Sequence, residues 1–121
     1  MDSIANGWRT SGDAQANWAS VMGNVDATEP LWPLAGPTGP IGGHWNDPDL
    51  LEVGQQGGLS AVETASQVAL WSVMNVPMLL SCDLRTLGSK AAAPTLELLT
   101  NPRMLALNQD ALAYQLSLIH I

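Results

Sequence analysis

Three pairs of charged residues could do chemistry: Arg9 with Asp13, Asp47 with Asp49, and Asp83 with Arg85. A carboxyl group held near a reacting oxygen can give and take a proton, and a guanidinium beside it can grip the same substrate. A scaffold explanation also exists for each: Arg9–Asp13 as a structural ion pair, Asp49 as the cap of a turn, Asp83–Arg85 as a solvated loop. His44, Asp47, Asp49 and Glu52 bring four potential metal ligands within nine residues. That cluster lacks the sixth-position glycine of an EF-hand loop and has the stiff Pro48 in its middle, so no metal is expected. Serine nucleophile chemistry is weaker still. There is no Gly-x-Ser-x-Gly elbow, and only His44 could act as a base, because His120 belongs to a terminal stretch of odd character.

The order of elements expected around these pairs is strand, helix, loop, strand, helix, strand, helix. Residues 3–10, with Ile4, Ala5 and Trp8, look like a strand that ends in the Ser11-Gly12-Asp13 turn. Trp18, Val21, Met22 and Val25 recur at helical spacing, which predicts a helix over 14–25 with Asp13 as its N-cap. Residues 26–43 hold four prolines (Pro30, Pro33, Pro37, Pro40) and four glycines and are expected to be loop. Residues 44–46 lead into Asp47-Pro48-Asp49, where the proline ends any strand. Ser60 and Glu63 form a capping box for a helix over 61–76, apolar nearly all round through Val62, Ala65, Val68, Ala69, Leu70, Val73 and Met74. Pro77 stops it, and the apolar run 78–82 has the length and character of a strand buried on both faces. Pro94 opens a helix over 95–100, and Asn101-Pro102 begins another turn before residues 104–107.

Strands alternating with helices imply α/β architecture with a parallel sheet, whose C-terminal strand ends carry the chemistry. All three charged pairs are expected at such ends. A complete (β/α)8 domain needs about 250 residues, and this chain has 121, so about half of one is expected.

Composition narrows the partners. The formal charge is −7 with only Arg9, Arg85, Lys90 and Arg103 as cations, so neither nucleic acid nor an acidic membrane surface is an expected partner. The longest apolar stretch, 68–82, is broken by Asn75 and Pro77 and is too short to span a bilayer. The single Cys82 has no partner for an internal disulfide. Five Trp and one Tyr stand beside no Phe, and Trp suits both a core and the stacking wall of a sugar site.

The motifs in order are more specific than any one of them. Trp8-Arg9-Thr10-Ser11-Gly12-Asp13, then Trp45-Asn46-Asp47-Pro48-Asp49-Leu50-Leu51-Glu52-Val53-Gly54, then Ala69-Leu70-Trp71, then Cys82-Asp83-Leu84-Arg85, then Ala106-Leu107-Asn108-Gln109-Asp110 follow one another. Over residues 4–112 the chain resembles the melibiase family, glycoside hydrolase family 27, which holds α-galactosidases and α-N-acetylgalactosaminidases, and its wording is nearest the plant and algal forms. The resemblance implies the C-terminal part, about strands six to eight, of a (β/α)8 TIM barrel that releases terminal α-linked galactose with retention and without a cofactor. It makes Asp13 the general acid/base, Arg9 a hydrogen-bond donor to a sugar hydroxyl, and Asp49 a wall of the galactose pocket. Leu50 stands where the family usually has Met, and Trp8 joins the substrate-binding set. Asp83 and Arg85 are given a structural role only.

A retaining mechanism needs a second carboxylate about 5–5.5 Å away. The family carries it on strand four, which this sequence does not contain, so the chain by itself is expected to be an inactive fragment. Residues 1–115 are expected to form the partial catalytic domain, and 116–121 a tail that does not follow the family's pattern. The full-length family implies a secreted, vacuolar or lysosomal setting. An α-N-acetylgalactosaminidase, a non-catalytic carbohydrate-binding half-barrel and an oxygen-ligand metal domain remain as rival readings. The oligomeric state is left open.

Overall fold

The structure, a computed structural model, describes residues 4–37 and 43–116. Ser3, Pro40 and tail residues 117–121, His120 among them, lie outside the described residues. Two parallel strands set the frame, β1 (Gly7–Arg9) and β2 (Trp45–Asp47), with Gly7 opposite Trp45, Trp8 opposite Asn46 and Arg9 opposite Asp47. Pairing runs on past both ends, from Trp45 N–H to Asn6 O at 2.9 Å and from Thr10 N–H to Asp47 O at 2.9 Å. Parallel partners need a crossover, and α1 (Trp18–Thr28) followed by a 3-10 helix over Glu29–Leu34 supplies it.

The helix after β1 starts later than its apolar spacing suggests. Asn17, not Asp13, caps α1 by accepting from Ser20 N–H at 3.0 Å, and Asp13 is left free of the helix, 91% exposed. The stretch expected as loop over 26–43 is partly helical. Pro30 falls in the first turn of the 3-10 helix, where no N–H is needed, so a proline-rich sequence need not be irregular. Gly36 and His44 then form an antiparallel bridge that closes the excursion.

The capping box on α2 (Ala61–Val73) is formed as read: Ser60 Oγ accepts from Glu63 N–H, and Glu63 Oε2 accepts from Ser60 N–H at 2.8 Å. The helix ends at Val73 rather than 76 because Asn75 turns left-handed at φ 54. Its buried stripe is Thr64, Gln67, Val68, Trp71 and Ser72, while Val62 points to solvent. The expected strand over 78–82 reduces to a single parallel bridge between Leu51 and Leu80, with Leu51 N–H donating to Leu79 O at 2.8 Å. Its direction is the one expected. Past it come α3 (Leu84–Leu87), a 3-10 turn at Lys90–Ala92, α4 (Ala93–Leu99) and α5 (Pro102–Asn108). The last was expected as a turn. Asn101 accepts from Arg103 and Met104 N–H, and Pro102 sits in the first turn, so the same two residues start a helix instead.

The core joins Val21 and Val25 of α1, Leu51 and Val53 of the segment after β2, and Val68 and Trp71 of α2, with Met74 and Val76 beyond it. α4 and α5 pack on α2 yet bury no residue fully. Gln115 reaches back into the fold, accepting from Asn46 Nδ2 at 2.8 Å, and Leu116 N–H donates to Val73 O at 3.3 Å. No helix among the described residues is long and apolar enough to cross a membrane.

Candidate active site

Because β1 and β2 run parallel, the loops that follow them leave the sheet at the same end. Polar bonds stitch those two loops together. Thr10 Oγ1 donates to Asp47 O at 3.0 Å, Ser11 Oγ donates to Pro48 O at 3.1 Å, and Ala14 N–H donates to Asp49 Oδ2 at 2.7 Å. The Arg9 guanidinium completes the join. Its Nη2 lies 3.0 Å from Asp49 Oδ2 and 3.4 Å from Asp13 Oδ1, and donates to Ser11 O at 3.2 Å. One cation thus gathers two carboxylates from two strand ends.

The two carboxylates sit differently. Asp49 is 13% exposed at its side chain and anchored by Arg9 and the Ala14 N–H. Asp13 is 91% exposed and touches only the rim of the guanidinium. A carboxylate bonded on one oxygen by a cation and a backbone N–H is fixed in orientation, as a binding group must be. An exposed carboxyl at the edge of the same cluster is free to meet a departing oxygen.

Asp49 adopts φ 78, the left-handed region, which costs an L residue other than glycine about 1–2 kcal/mol and which aspartate tolerates better than most. Asp47 holds that turn, its Oδ1 accepting from Asp49 N–H at 2.9 Å. Asp47, not Asp49, is therefore the turn's cap. Leu50 follows, half-buried, its carbonyl accepting from Gln67 Nε2 at 3.3 Å.

Other expected site residues lie apart. Successive side chains of a strand alternate faces, so Trp8 stands on the opposite face of β1 from Arg9, and its ring stacks on His44 at 6.1 Å with 24° between planes. The same face carries Asn46, whose Nδ2 donates to Leu31 O at 2.8 Å, and so packs toward the 3-10 helix. Asp83 and Arg85 bond to each other. Arg85 Nη2 reaches Asp83 Oδ2 at 2.7 Å, and Asp83 Oδ1 accepts from Arg85 N–H as the N-cap of α3. The guanidinium beside it holds the Asp83 carboxyl below its ordinary 3.8, and the carboxylate raises Arg85 in turn. The scaffold explanation fits this pair. Glu52, the last of the four ligand candidates, turns away to bond Gln55, and among the described residues no three of His, Cys, Asp and Glu gather as a metal site would need.

Several residues that tie the candidate site together were given no role in the sequence, Trp71 among them although it stands in the Ala69-Leu70-Trp71 motif. Asn24 Nδ2 donates to Pro48 O at 2.8 Å, Thr28 Oγ1 lies 2.6 Å from Thr10 Oγ1, and Trp71 Nε1 donates to Asp49 O at 3.1 Å. A signal was available: Asn24 and Thr28 share the helical stripe of Val21 and Val25, and a polar side chain on a buried stripe must find a partner.

The sequence model of the alpha galactosidase A family matches residues 1–110. The chain belongs to that family. An alpha-galactosidase of rice is 38% identical, the match covering 93% of this chain and 24% of the rice protein. The human alpha-N-acetylgalactosaminidase is 42% identical, over 97% of this chain and 27% of its own length. The chain therefore spans about a quarter of the length of the curated relatives it matches. Among solved structures, alpha-galactosidase I of Mortierella vinacea superposes with a TM-score of 0.71 at 26% identity, covering 91% of this chain and 30% of that one. The parallel pairing and the helical crossover agree with the α/β fold of these glycosidases.

Proposed function

We propose that residues 1–110 supply about strands six to eight of a (β/α)8 barrel in a retaining glycoside hydrolase that releases terminal α-linked galactose. Asp13 is the general acid/base, giving its proton to the departing glycosidic oxygen and later taking one from water. Arg9 and Asp49 hold sugar hydroxyls, and Leu50 borders the same pocket. Trp8, behind the sheet, is left to packing against His44. The observation that carries this reading is the Arg9 guanidinium bridging Asp49 and Asp13 at the C-terminal ends of two parallel strands, where barrel enzymes place their chemistry.

The nucleophile comes from another segment. Asp47 Oδ1 accepts from the Asp49 N–H, and Asp49 Oδ2 is held by Arg9 and the Ala14 N–H, roles that suit fixing the turn and gripping a hydroxyl rather than attack on an anomeric carbon. The likeness to an alpha-N-acetylgalactosaminidase is as strong as that to an alpha-galactosidase, which makes N-acetylgalactosamine the second substrate to try. A hybrid in which residues 1–110 replace the matching quarter of the rice relative tests the proposal. It should hydrolyse an aryl α-galactoside and release the α-anomer first, as followed by NMR. Release of the β-anomer, or a folded hybrid without turnover on either sugar, would contradict it.

A further inference from the structure

Three consecutive carbonyls in the loop after β2 are each held by a buried side chain from a helix. Asn24 of α1 donates to Pro48 O, Trp71 of α2 to Asp49 O and Gln67 of α2 to Leu50 O. Loop carbonyls outside a ladder usually find water, and donors buried under them leave no such substitute. The middle bond differs from its neighbours because its acceptor belongs to the residue at φ 78. Trp71 is 0% exposed and its ring is part of the core, so its N–H cannot be traded for solvent. Asp49 is thus pinned at both ends of its backbone, by Asp47 Oδ1 on the N–H and by Trp71 Nε1 on the carbonyl.

We propose that Trp71 is a positioning residue for Asp49: its indole N–H fixes the left-handed turn that presents the Asp49 carboxylate to Arg9 and the Ala14 N–H. This rests on the galactoside reading of the site. Without the N–H, the peptide after Asp49 must rotate to hydrate its carbonyl, and the carboxylate leaves its two donors. The loop after β1 loses the same anchor, since Ala14 lies one residue beyond Asp13.

Steady-state kinetics of the hybrid test this with Trp71→Phe, which keeps an aromatic ring and removes only the donor. KM for an aryl α-galactoside should rise about tenfold, the scale of one buried acceptor left unpaired, with the dependence of kcat on leaving group unchanged. Val68→Ala, in the same helix and the same core, costs packing without removing a donor and should leave KM unaltered below its melting temperature. On an Asp49→Ala background, Trp71→Phe should add no further rise, because a residue acting through Asp49 has nothing left to position. An equal rise on both backgrounds, or an equal rise in Val68→Ala, overturns the proposal. If Asp49→Ala raises KM and Trp71→Phe does not, the positioning role alone falls. If Asp49→Ala leaves KM unchanged, the pocket reading falls and takes this inference with it.

Discussion

Arg9 reaches across the sequence to Asp49, whereas Arg85 folds back on Asp83 two residues away. The local pair is the shorter, 2.7 Å against 3.0 Å, and it is the more exposed, with 91% of the Arg85 side chain in water against 40% for Arg9. Distance therefore ranks the two pairs in the wrong order. An exposed ion pair gains little in water of high dielectric and is screened by salt. The Arg9–Asp49 pair instead joins the end of β1 to the loop after β2, whose Pro48 and Asp49 carbonyls are already held by buried donors from α1 and α2, so the Asp49 charge stands where the fold put it. One pair caps a short helix. The other joins the ends of two parallel strands at the candidate site.

The largest effect should come from beneath the strong pair: Trp71→Ala is expected to destabilise the hybrid by about 3–5 kcal/mol, as removing a fully buried Trp does, read from the urea midpoint. Next in size is Asp49→Ala, which should raise KM about 10–100-fold, the worth of charge-assisted hydrogen bonds to a substrate. Arg85→Ala should leave KM and kcat at the parent values. A rise for Arg85→Ala as large as that for Asp49→Ala would erase the distinction. Ser60→Ala, which removes half of the α2 capping box, should cost about 1 kcal/mol and leave KM alone, since it weakens the helix start and not Trp71.

The smallest effect is a pH effect. The bonds from Ser60 hold the Glu63 carboxyl below its ordinary 4.5, and Arg85 holds Asp83 below 3.8. A depressed carboxyl contributes stability that is present above its unfolded value and lost as pH falls through the folded one. Both contributions should be intact at pH 6, that of Glu63 fading below its ordinary 4.5 and that of Asp83 only below its ordinary 3.8. Glu63→Gln should flatten the first and Arg85→Ala the second, as read from urea midpoints between pH 6 and 3. Equal slopes in parent and variants would remove these groups from the acid response.

Local signals in the sequence carried over best. Ser60-x-x-Glu63 needs only its own turn to form, and it forms. Signals with two candidate solutions did not: Asp13 and Asn17 both suit an N-cap, and the chain uses Asn17, which frees Asp13 for the loop. Prolines 30 and 33 looked like loop because their permission to start or sit in a 3-10 turn depends on neighbours that spacing does not show. The strand expected over 78–82 shrank to one bridge at Leu80, because pairing needs a partner and only Leu51 faces it among the described residues. At the site, Arg9, Asp13 and Asp49 were named from motif order and were brought together. Trp8 was named with them and stands on the other face, which the alternation of a strand would have shown beforehand. The buried donors Asn24 and Gln67 were missed, and Trp71 was quoted in a motif without a role, because their acceptors are backbone carbonyls, which no side-chain motif records.

Asp13, held at the edge of the Arg9–Asp49 pair, is proposed as the acid/base. Asp13→Ala in the hybrid tests it most directly, with paired aryl α-galactosides of good and poor leaving groups. The substrate with the poor leaving group should lose on the order of 10²–10⁴-fold, because its oxygen cannot depart without a proton. The good one should still form the glycosyl-enzyme, which then accumulates until added azide, needing no base, releases it. If both substrates fell equally and azide changed nothing, Asp13 would be a positioning residue and the assignment would be wrong.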